Sequence, residues 1–180
     1  MTPGDLFETI MREAAAESPL WSEALRPRAD EEALPVFSTL GGESFALATE
    51  TIYEGYLLHY GRPRLFAPAD ADTAVLLGDY LYAHGLVRLA RLEDVDAVAD
   101  LAELISLCTQ LRAERAPAEA DGAAWAATAA LLGSGNGLLE HARAALRLDR
   151  GAGPLLDLAV AAAGAEPVDA ALAAHRERVK

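Results

Sequence analysis

The sequence predicts an all-α fold, a bundle of roughly eight to ten helices that forms a single domain over residues 1–180. Three observations support this prediction. The composition is 52% hydrophobic but only 6% aromatic, with abundant alanine and leucine, which lose little conformational freedom in helices. Apolar residues recur at helical spacing, and no segment alternates with the period of two that is typical of strands. A length of 180 residues suits one sizeable core.

Helix ends are predicted from proline, glycine and capping residues. Pro19 ends the first helix, Gly61 and Pro63 end the strong helix that precedes them, and Asp70 or Asp72 caps the next one. After the first helix, the predicted helices cover 20–26, 43–59, 71–90, 94–115, 125–132, 138–148, 155–163 and 168–179. Loops, linkers or turns are predicted over 61–70, 116–121 and 133–137.

Charge and composition exclude several classes of function. The formal net charge is −13, so a basic groove for nucleic acid and electrostatic binding to an anionic membrane are not expected. No segment reaches the roughly 18 to 20 apolar residues of a membrane span, and the N-terminus lacks the features of a signal peptide. Cys108 is the single cysteine, which rules out an internal disulfide and a thiolate-rich metal site. We expect a cytoplasmic protein without a cofactor or an integral membrane segment.

Four short motifs between residues 40 and 110 occur in the same order as similar motifs of a known protein family. They are Leu40-Gly41-Gly42, Leu57-Leu58-His59, Val75-Leu76-Leu77-Gly78-Asp79-Tyr80 and Leu101-Ala102-Glu103-Leu104-Ile105. Their order is similar to that in trans-polyprenyl diphosphate synthases, which have the all-α isoprenoid synthase fold. The resemblance implies a truncated version of that fold. Residues 1–115 resemble the N-terminal part of these enzymes, and 116–180 form a divergent helical remainder.

The chain departs from that family where the family binds metal. In the family, an Asp-Asp-x-x-Asp motif follows the Leu-Leu-His segment and binds the magnesium ions that hold an allylic diphosphate. Here His59 is followed by Tyr60-Gly61-Arg62-Pro63-Arg64, which offers none of the three carboxylates that magnesium would need. The second aspartate-rich motif is missing too, because the chain contains no Asp-Asp pair. No metal site and no catalytic residue are therefore predicted.

These losses resemble those of the non-catalytic small subunit of two-component heptaprenyl diphosphate synthases. The resemblance implies a regulatory subunit, not an enzyme, that forms a heterodimer with a catalytic prenyltransferase in the synthesis of quinone side chains. A homodimer is the alternative assembly. Two other functions stay open: a stand-alone binder of a prenyl or other long apolar ligand, and a metal-independent enzyme that acts on isoprenoid diphosphates.

The candidate ligand-binding residues are His59, Tyr60, Arg62, Arg64, Asp79 and Tyr80. The guanidinium groups of Arg62 and Arg64 could hold a diphosphate without a metal, because their planar fork matches phosphate oxygens. The alternative is that both arginines are solvated in a loop. Asp79 lies in an apolar helix, where it is either a structural carboxylate that meets a donor on a neighbouring helix or a ligand.

Small residues on two consecutive helices form the candidate subunit interface. The helices are those over 78–90 and 94–115, and small side chains would let a partner helix approach closely. The candidate interface residues are Gly78, Ala83, Gly85, Ala90, Ala97 and Leu101. An interface built on them should bury more than about 1,000 Å² in total.

Acidic residues open the helix that begins near Asp94. Asp94, Asp96 and Asp100 are interpreted as favourable partners of the helix dipole, with metal binding as the weaker alternative. The glycine-rich segment 133–137 lacks both the strand context of a nucleophile elbow and the Lys-Ser/Thr of a phosphate loop. It is therefore predicted to be a turn.

Overall fold

The computed structural model describes residues 2–26, 34–135, 137–149 and 151–179. Over these ranges the chain forms nine α-helices and two short 3₁₀ turns, with no strand of a sheet, so the predicted all-α bundle is confirmed. The helices are α1 (Pro3–Glu17), α2 (Pro19–Glu23), α3 (Ala46–Tyr60), α4 (Ala71–Ala90), α5 (Val95–Ala113), α6 (Ala118–Leu131), α7 (Leu138–Asp149), α8 (Gly153–Ala163) and α9 (Ala165–Arg178). None of the described helices is long and apolar enough to cross a membrane.

Helices α1, α4 and α5 each begin at a side chain that caps them. Thr2 accepts a hydrogen bond from the backbone N–H of Asp5, whose carboxylate accepts one from the N–H of Thr2, which makes a capping box. Asp70 and Asp94 each accept a hydrogen bond from the backbone N–H three residues later, at 2.7 and 2.8 Å. These bonds satisfy donors that a helix leaves open at its N-terminus, which is why α1, α4 and α5 begin where they do.

Several helix boundaries differ from those predicted, and two of the differences concern buried helices. The helix predicted over 43–59 starts with a 3₁₀ turn at Glu43–Phe45, and α3 proper begins at Ala46. The predicted linker over 116–121 is wrong in part, because α6 begins at Ala118. Its polar residue Asp121 is 1% exposed and belongs to the core, so its polarity did not indicate a loop.

Two buried helices organise the bundle. Every residue of α3 from Ala48 to Leu58 is buried, and α6 is buried from Ala120 to Ala129. The alanine-rich surface of α6 lets α8 pack closely against it. Around α3 and α6, the apolar side chains of α5, α8 and α9 form the main core. A second, smaller core lies where α1 and α2 pack against α4.

Helices α3 and α4 cross closely because glycines occupy the crossing. A Cβ on Gly85 would lie 2.3 Å from Cγ1 of Ile52, and a Cβ on Gly55 would lie 2.9 Å from the carbonyl oxygen of Gly78. Real Cβ atoms do not approach other atoms this closely, so each position excludes a side chain. The α3–α4 pair is accordingly the most extensive helix contact in the described chain.

This crossing corrects part of the predicted subunit interface. Four of the six candidates are buried inside this chain: Gly78, Gly85, Ala97 and Leu101. The two glycines face α3, and the other two belong to the main core. The small residues serve close packing within one chain, a role that sequence periodicity cannot distinguish from packing between chains. The remaining two candidates, Ala83 and Ala90, are exposed on α4.

Substitution of Gly85 tests this close crossing. Gly85→Ala should lower the free energy of unfolding by about 1–3 kcal/mol, because the new methyl group overlaps Ile52 and forces the helices apart. Gly153→Ala is the matched control, since a Cβ there meets nothing within 4 Å. Urea denaturation of both variants provides the measurement. Equal stability of Gly85→Ala and the control would contradict the packing described.

Candidate functional site

The end of α3 lies beneath the last turn of α9. The backbone N–H of Arg62 donates to the carbonyl oxygen of Arg178 at 2.9 Å, and the Arg62 guanidinium donates to the carbonyl oxygen of Glu177. A Cβ on Gly61 would lie 2.8 Å from that same Arg178 oxygen. The segment after α3, which carries two of the candidate ligand-binding residues, therefore packs against the end of α9.

Arg64 lies at the centre of a buried ionic cluster. Its Nη1 lies 2.5 Å from Oε2 of Glu50 and its Nε lies 2.9 Å from Oε2 of Glu54. The guanidinium carbon is 4.9 and 5.0 Å from the ring centres of Phe7 and Tyr53. Arg64 is fully buried. Both readings of Arg64 from the sequence, a ligand for diphosphate and a solvated loop residue, are corrected by this burial.

Backbone donors complete the ionic cluster. The N–H groups of Val36 and Ser38 donate to Glu50 at 2.9 and 3.1 Å, and the N–H groups of Arg64 and Leu65 donate to Glu54, both at 2.7 Å. Burial alone would lower the pKa of Arg64, but the facing carboxylates raise it above its ordinary value. The cluster attaches two irregular segments to α3.

His59 and Asp79 meet where α3 and α4 diverge. Nε2 of His59 lies 3.2 Å from Oδ1 of Asp79, and the imidazole stacks on Tyr82 with the ring centres 5.1 Å apart. A Cβ on Gly78 would lie only 2.5 Å from Nε2, so the ring occupies the space that this glycine leaves. Burial lowers the pKa of His59 more than Asp79 raises it. Asp79 thus contacts the neighbouring helix, with 65% of its side chain exposed and without a well-aligned hydrogen bond to Nε2.

The two candidate tyrosines lie on different sides of the bundle. The Tyr60 hydroxyl lies 3.4 Å from Oγ1 of Thr109 on α5. Tyr80 instead packs between Trp21 and His84, with ring centres 5.8 and 5.3 Å away. Burial raises the pKa of Tyr80. The structure therefore groups Tyr60 with His59, while Tyr80 belongs to the smaller core beside α1 and α2.

A polar cleft of about 220 Å³ opens beside Arg62. Its other lining residues are Arg26, Pro63, Glu177 and Arg178. Nε of Arg26 donates to a backbone carbonyl, that of Phe66, at 3.1 Å, and Arg62 also donates to a carbonyl. Three guanidinium groups beside one carboxylate suit an anion such as a phosphate. Arg62 is thus the predicted ligand residue whose surroundings fit that role.

The main core contains a buried polar network that was not predicted from the sequence. The Tyr56 hydroxyl donates to Oδ2 of Asp121 at 2.5 Å, and Nη2 of Arg112 donates to the Tyr56 hydroxyl at 2.7 Å. Nε of Arg112 lies 2.5 Å from the same carboxylate oxygen. Burial raises the pKa of Asp121 despite these partners. The network joins α3, α5 and α6. It was not predicted because the sequence analysis assigned Asp121 to a polar linker.

His175 on α9 is enclosed by aromatic rings. Phe37, Tyr53 and Tyr56 lie with their ring centres 5.4 to 5.9 Å from the imidazole. Nδ1 lies 3.1 Å from the Tyr53 hydroxyl, whereas Nε2 is buried without a hydrogen-bond partner. Burial, together with the positive charges of Arg112 and Arg176, lowers the pKa of His175 to about 4. The side chain is therefore neutral near pH 7.

The glycine-rich turn folds over the acidic start of α5. The N–H of Gly133 donates to Asp100 at 3.2 Å, and a Cβ on Gly133 or Gly135 would lie 2.7 or 2.6 Å from a carboxylate oxygen of Asp94 or Asp96. Both glycines have positive φ angles, 73° and 58°. Within the described residues, which omit position 136 of this turn, no group of His, Cys, Asp or Glu could hold a metal ion.

Removal of Arg64 tests the ionic cluster. Arg64→Met should lower the free energy of unfolding by about 3–5 kcal/mol, because it leaves two buried carboxylates without their cation. Arg62→Met, an exposed arginine two residues away, should cost much less. Urea denaturation at pH 7 measures both. Similar losses for the two variants would show that the cluster does not hold the fold.

Replacement of His175 tests how much its low pKa contributes to the pH dependence of stability. Between its ordinary pKa of 6.5 and the folded value of about 4, the unfolded chain binds a proton that the folded chain does not. The free energy of unfolding should therefore decrease as the pH is lowered from about 6.5 to about 4, by on the order of 3 kcal/mol for this group. His175→Phe should lack that component, and His141→Phe on the exposed face of α7 is the control. Urea denaturation measures the free energy of unfolding at each pH. If the difference in this free energy between wild type and His175→Phe does not change with pH, burial of a neutral His175 does not contribute to the pH dependence of stability.

Comparison with known proteins assigns neither a family nor a function to this chain. No protein-family model, no curated protein and no solved structure matches it. The likeness to polyprenyl diphosphate synthases therefore rests on the four motifs and on the all-α class of the fold. Because a fold class hosts many functions, the function has to be argued from surfaces and sites.

Proposed function

We propose that the protein is a non-catalytic subunit that binds and regulates a catalytic polyprenyl diphosphate synthase in isoprenoid biosynthesis. The observation that carries the proposal is an apolar stripe on α4. Leu76, Ala83, Val87 and Ala90 recur at spacings of three, four and seven residues and are all exposed, Leu76 by 56% and Val87 by 48%. This spacing places them on one face of the helix.

The other sides of α4 are occupied by this chain. Gly85 packs on α3, and Leu89 is buried in the main core. On the side of α1, His84 and Arg88 both contact the carboxylate of Glu13, at 2.9 and 2.8 Å. The orientation of α4 is thereby fixed, and its apolar stripe is held toward the outside.

Further exposed apolar residues lie at both ends of α4. Val75 is exposed beside Leu76 near its start, and Leu92 and Val95 are exposed at the turn into α5, Val95 by 78%. An apolar groove of about 220 Å³ lies at that turn, between Ala90 and Val98. Exposed apolar patches mark sites of protein association, and we take these residues as one such site. We call the surface formed by Val75, Leu76, Ala83, Val87, Ala90, Leu92 and Val95 the α4 surface.

Charge favours a different protein over a second copy as the partner. Each chain has a formal charge of −13, so two copies would bring −26 together. Such self-repulsion opposes association. The small residues Ala83 and Ala90 leave room for a helix of the partner to approach. A catalytic prenyltransferase is the partner that the resemblance of the four motifs implies.

The arginine cleft beside Arg62 supports a second candidate function, the binding of a diphosphate group. Its guanidinium groups fit such an anion without a metal ion.

The other alternative, binding of a prenyl chain or another long apolar ligand, has less structural support. Phe37, Tyr53, Tyr56 and Trp125 pack between α3 and α6 with ring centres 5.1 to 6.0 Å apart, which is dense core packing.

Association with a catalytic subunit tests the proposal. The pure protein is mixed with a prenyltransferase from the same genome that has intact Asp-Asp-x-x-Asp motifs, and the mass of the complex is measured by light scattering. We expect a heterodimer whose dissociation constant rises at least tenfold for Leu76→Asp, because the substitution places a charge in an apolar contact. Leu148→Asp on α7 is the matched control, since Leu148 is 82% exposed and far from α4 in the chain.

Several outcomes would overturn the proposal. If the protein stays monomeric with every such prenyltransferase, it has no partner of the proposed class. If Leu76→Asp and Leu148→Asp raise the dissociation constant equally, the partner does not bind at the α4 surface. The protein alone is also incubated with allylic and homoallylic diphosphates and magnesium. We expect no product, and a product would assign catalysis to this chain.

A further inference from the structure

Asp79 lies within the exposed apolar stripe of α4. It follows Leu76 by three residues and precedes Ala83 by four, so the three side chains share one face of the helix. The side chain of Asp79 is 65% exposed. A partner helix that covers Leu76 and Ala83 therefore also covers the carboxylate between them.

The negative charge of Asp79 is not balanced within the described part of the chain. The group there at ion-pair distance is the imidazole of His59, whose Nε2 lies 3.2 Å from Oδ1. Burial lowers the pKa of this imidazole below its ordinary value of 6.5, so the ring is neutral near pH 7. The contact with His59 thus leaves a full negative charge on the α4 surface.

Coverage of this charge by a purely apolar partner would be unfavourable. A carboxylate that is removed from water needs a cation or hydrogen-bond donors in return. In coiled coils, a single polar residue on an otherwise apolar seam restricts which helices pair and in which register. Asp79 interrupts the stripe of α4 in the same way, so the partner has to supply the missing positive charge.

We propose that the partner covers the α4 surface with an amphipathic helix that carries a lysine or arginine opposite Asp79. The inference deepens the proposed function, since it rests on association at that surface. Asp72 is also exposed on this face of α4, seven residues before Asp79 and about 10 Å away along the axis. A second basic residue, seven positions from the first on the partner helix, would face Asp72.

A second copy of this chain is the competing occupant. Arg91 is exposed at the end of α4, and an antiparallel pair of α4 helices can place it opposite Asp79 of the other copy. The formal charge of −13 on each copy opposes that pairing, whereas it attracts a basic helix. Light scattering of the protein alone should show a monomer. A dimer that Arg91→Gln dissociates would place the cation on a second copy and overturn the proposal.

Two synthetic peptides test the charge requirement without a prenyltransferase. Both form an amphipathic helix with the same leucine face, and they differ only in lysine or glutamate at one position within that face. Binding of each fluorescein-labelled peptide to the full chain is measured by fluorescence anisotropy at pH 7. We expect the lysine peptide to bind about tenfold more tightly, because only lysine pairs with Asp79.

Charge exchange at position 79 separates this ion pair from general attraction to an acidic protein. Asp79→Lys should reverse the preference, so that the glutamate peptide binds more tightly. Asp157→Lys makes the same change at an exposed position of α8 and should keep the preference for lysine. If Asp79→Lys fails to fold, Asp79→Asn decides, and it should abolish the preference. No binding of either peptide, or a preference for lysine that is unchanged in the position 79 variants, would overturn the proposal.

The prenyltransferase separates this inference from the proposed function. Asp79→Asn should raise the dissociation constant of the heterodimer about tenfold, whereas Asp157→Asn should leave it unchanged. A heterodimer that Asp79→Asn does not weaken would support the proposed function and refute the ion pair. If no heterodimer forms but the lysine peptide binds in a manner that depends on Asp79, the proposed function fails and the inference holds for another partner with a basic helix.

Discussion

The buried ionic cluster of Glu50, Glu54 and Arg64 holds α3 and the segments on either side of it together. Two carboxylates and one guanidinium are buried together, and they are satisfied by one another and by four backbone N–H groups. Burial of charge is tolerated only with such complete pairing. The cluster draws the segment before α3 and the loop after it onto one side of α3, and the loop in turn pairs with the end of α2 through the Leu25–Phe66 bridge.

With α3 fixed, the position of α4 follows. The loop after α3 leads directly to the Asp70 cap, and the glycines at the crossing hold α4 tightly against α3. This geometry leaves the apolar α4 surface uncovered by the described part of the chain. The same loop brings Arg62 under α9 and turns Arg64 inward, although the two residues are neighbours in sequence. The cleft beside Arg62 therefore lies at the end of α3, apart from the exposed apolar residues of α4.

The sequence predicted the fold class and most helix ends, because caps, prolines and apolar periodicity are local properties. It could not predict which arginine is buried, since Arg62 and Arg64 have the same chemistry and their fates depend on Glu50 and Glu54, ten or more residues away. Small residues at helical spacing indicated close packing but not its partner, so Gly78 and Gly85 were placed at an interface between chains. Asp121 and His175 were missed because their burial comes from long-range contacts.

We propose that the α4 surface is the site at which this protein binds its partner. Hydrogen–deuterium exchange of the full chain, alone and mixed with the proposed prenyltransferase partner, measures which helices the partner covers, because covered and stabilised helices exchange more slowly. We expect added protection concentrated in α4 and the start of α5, with little change in α7. Protection confined to α9 and the cleft beside Arg62, with α4 unchanged, would contradict it.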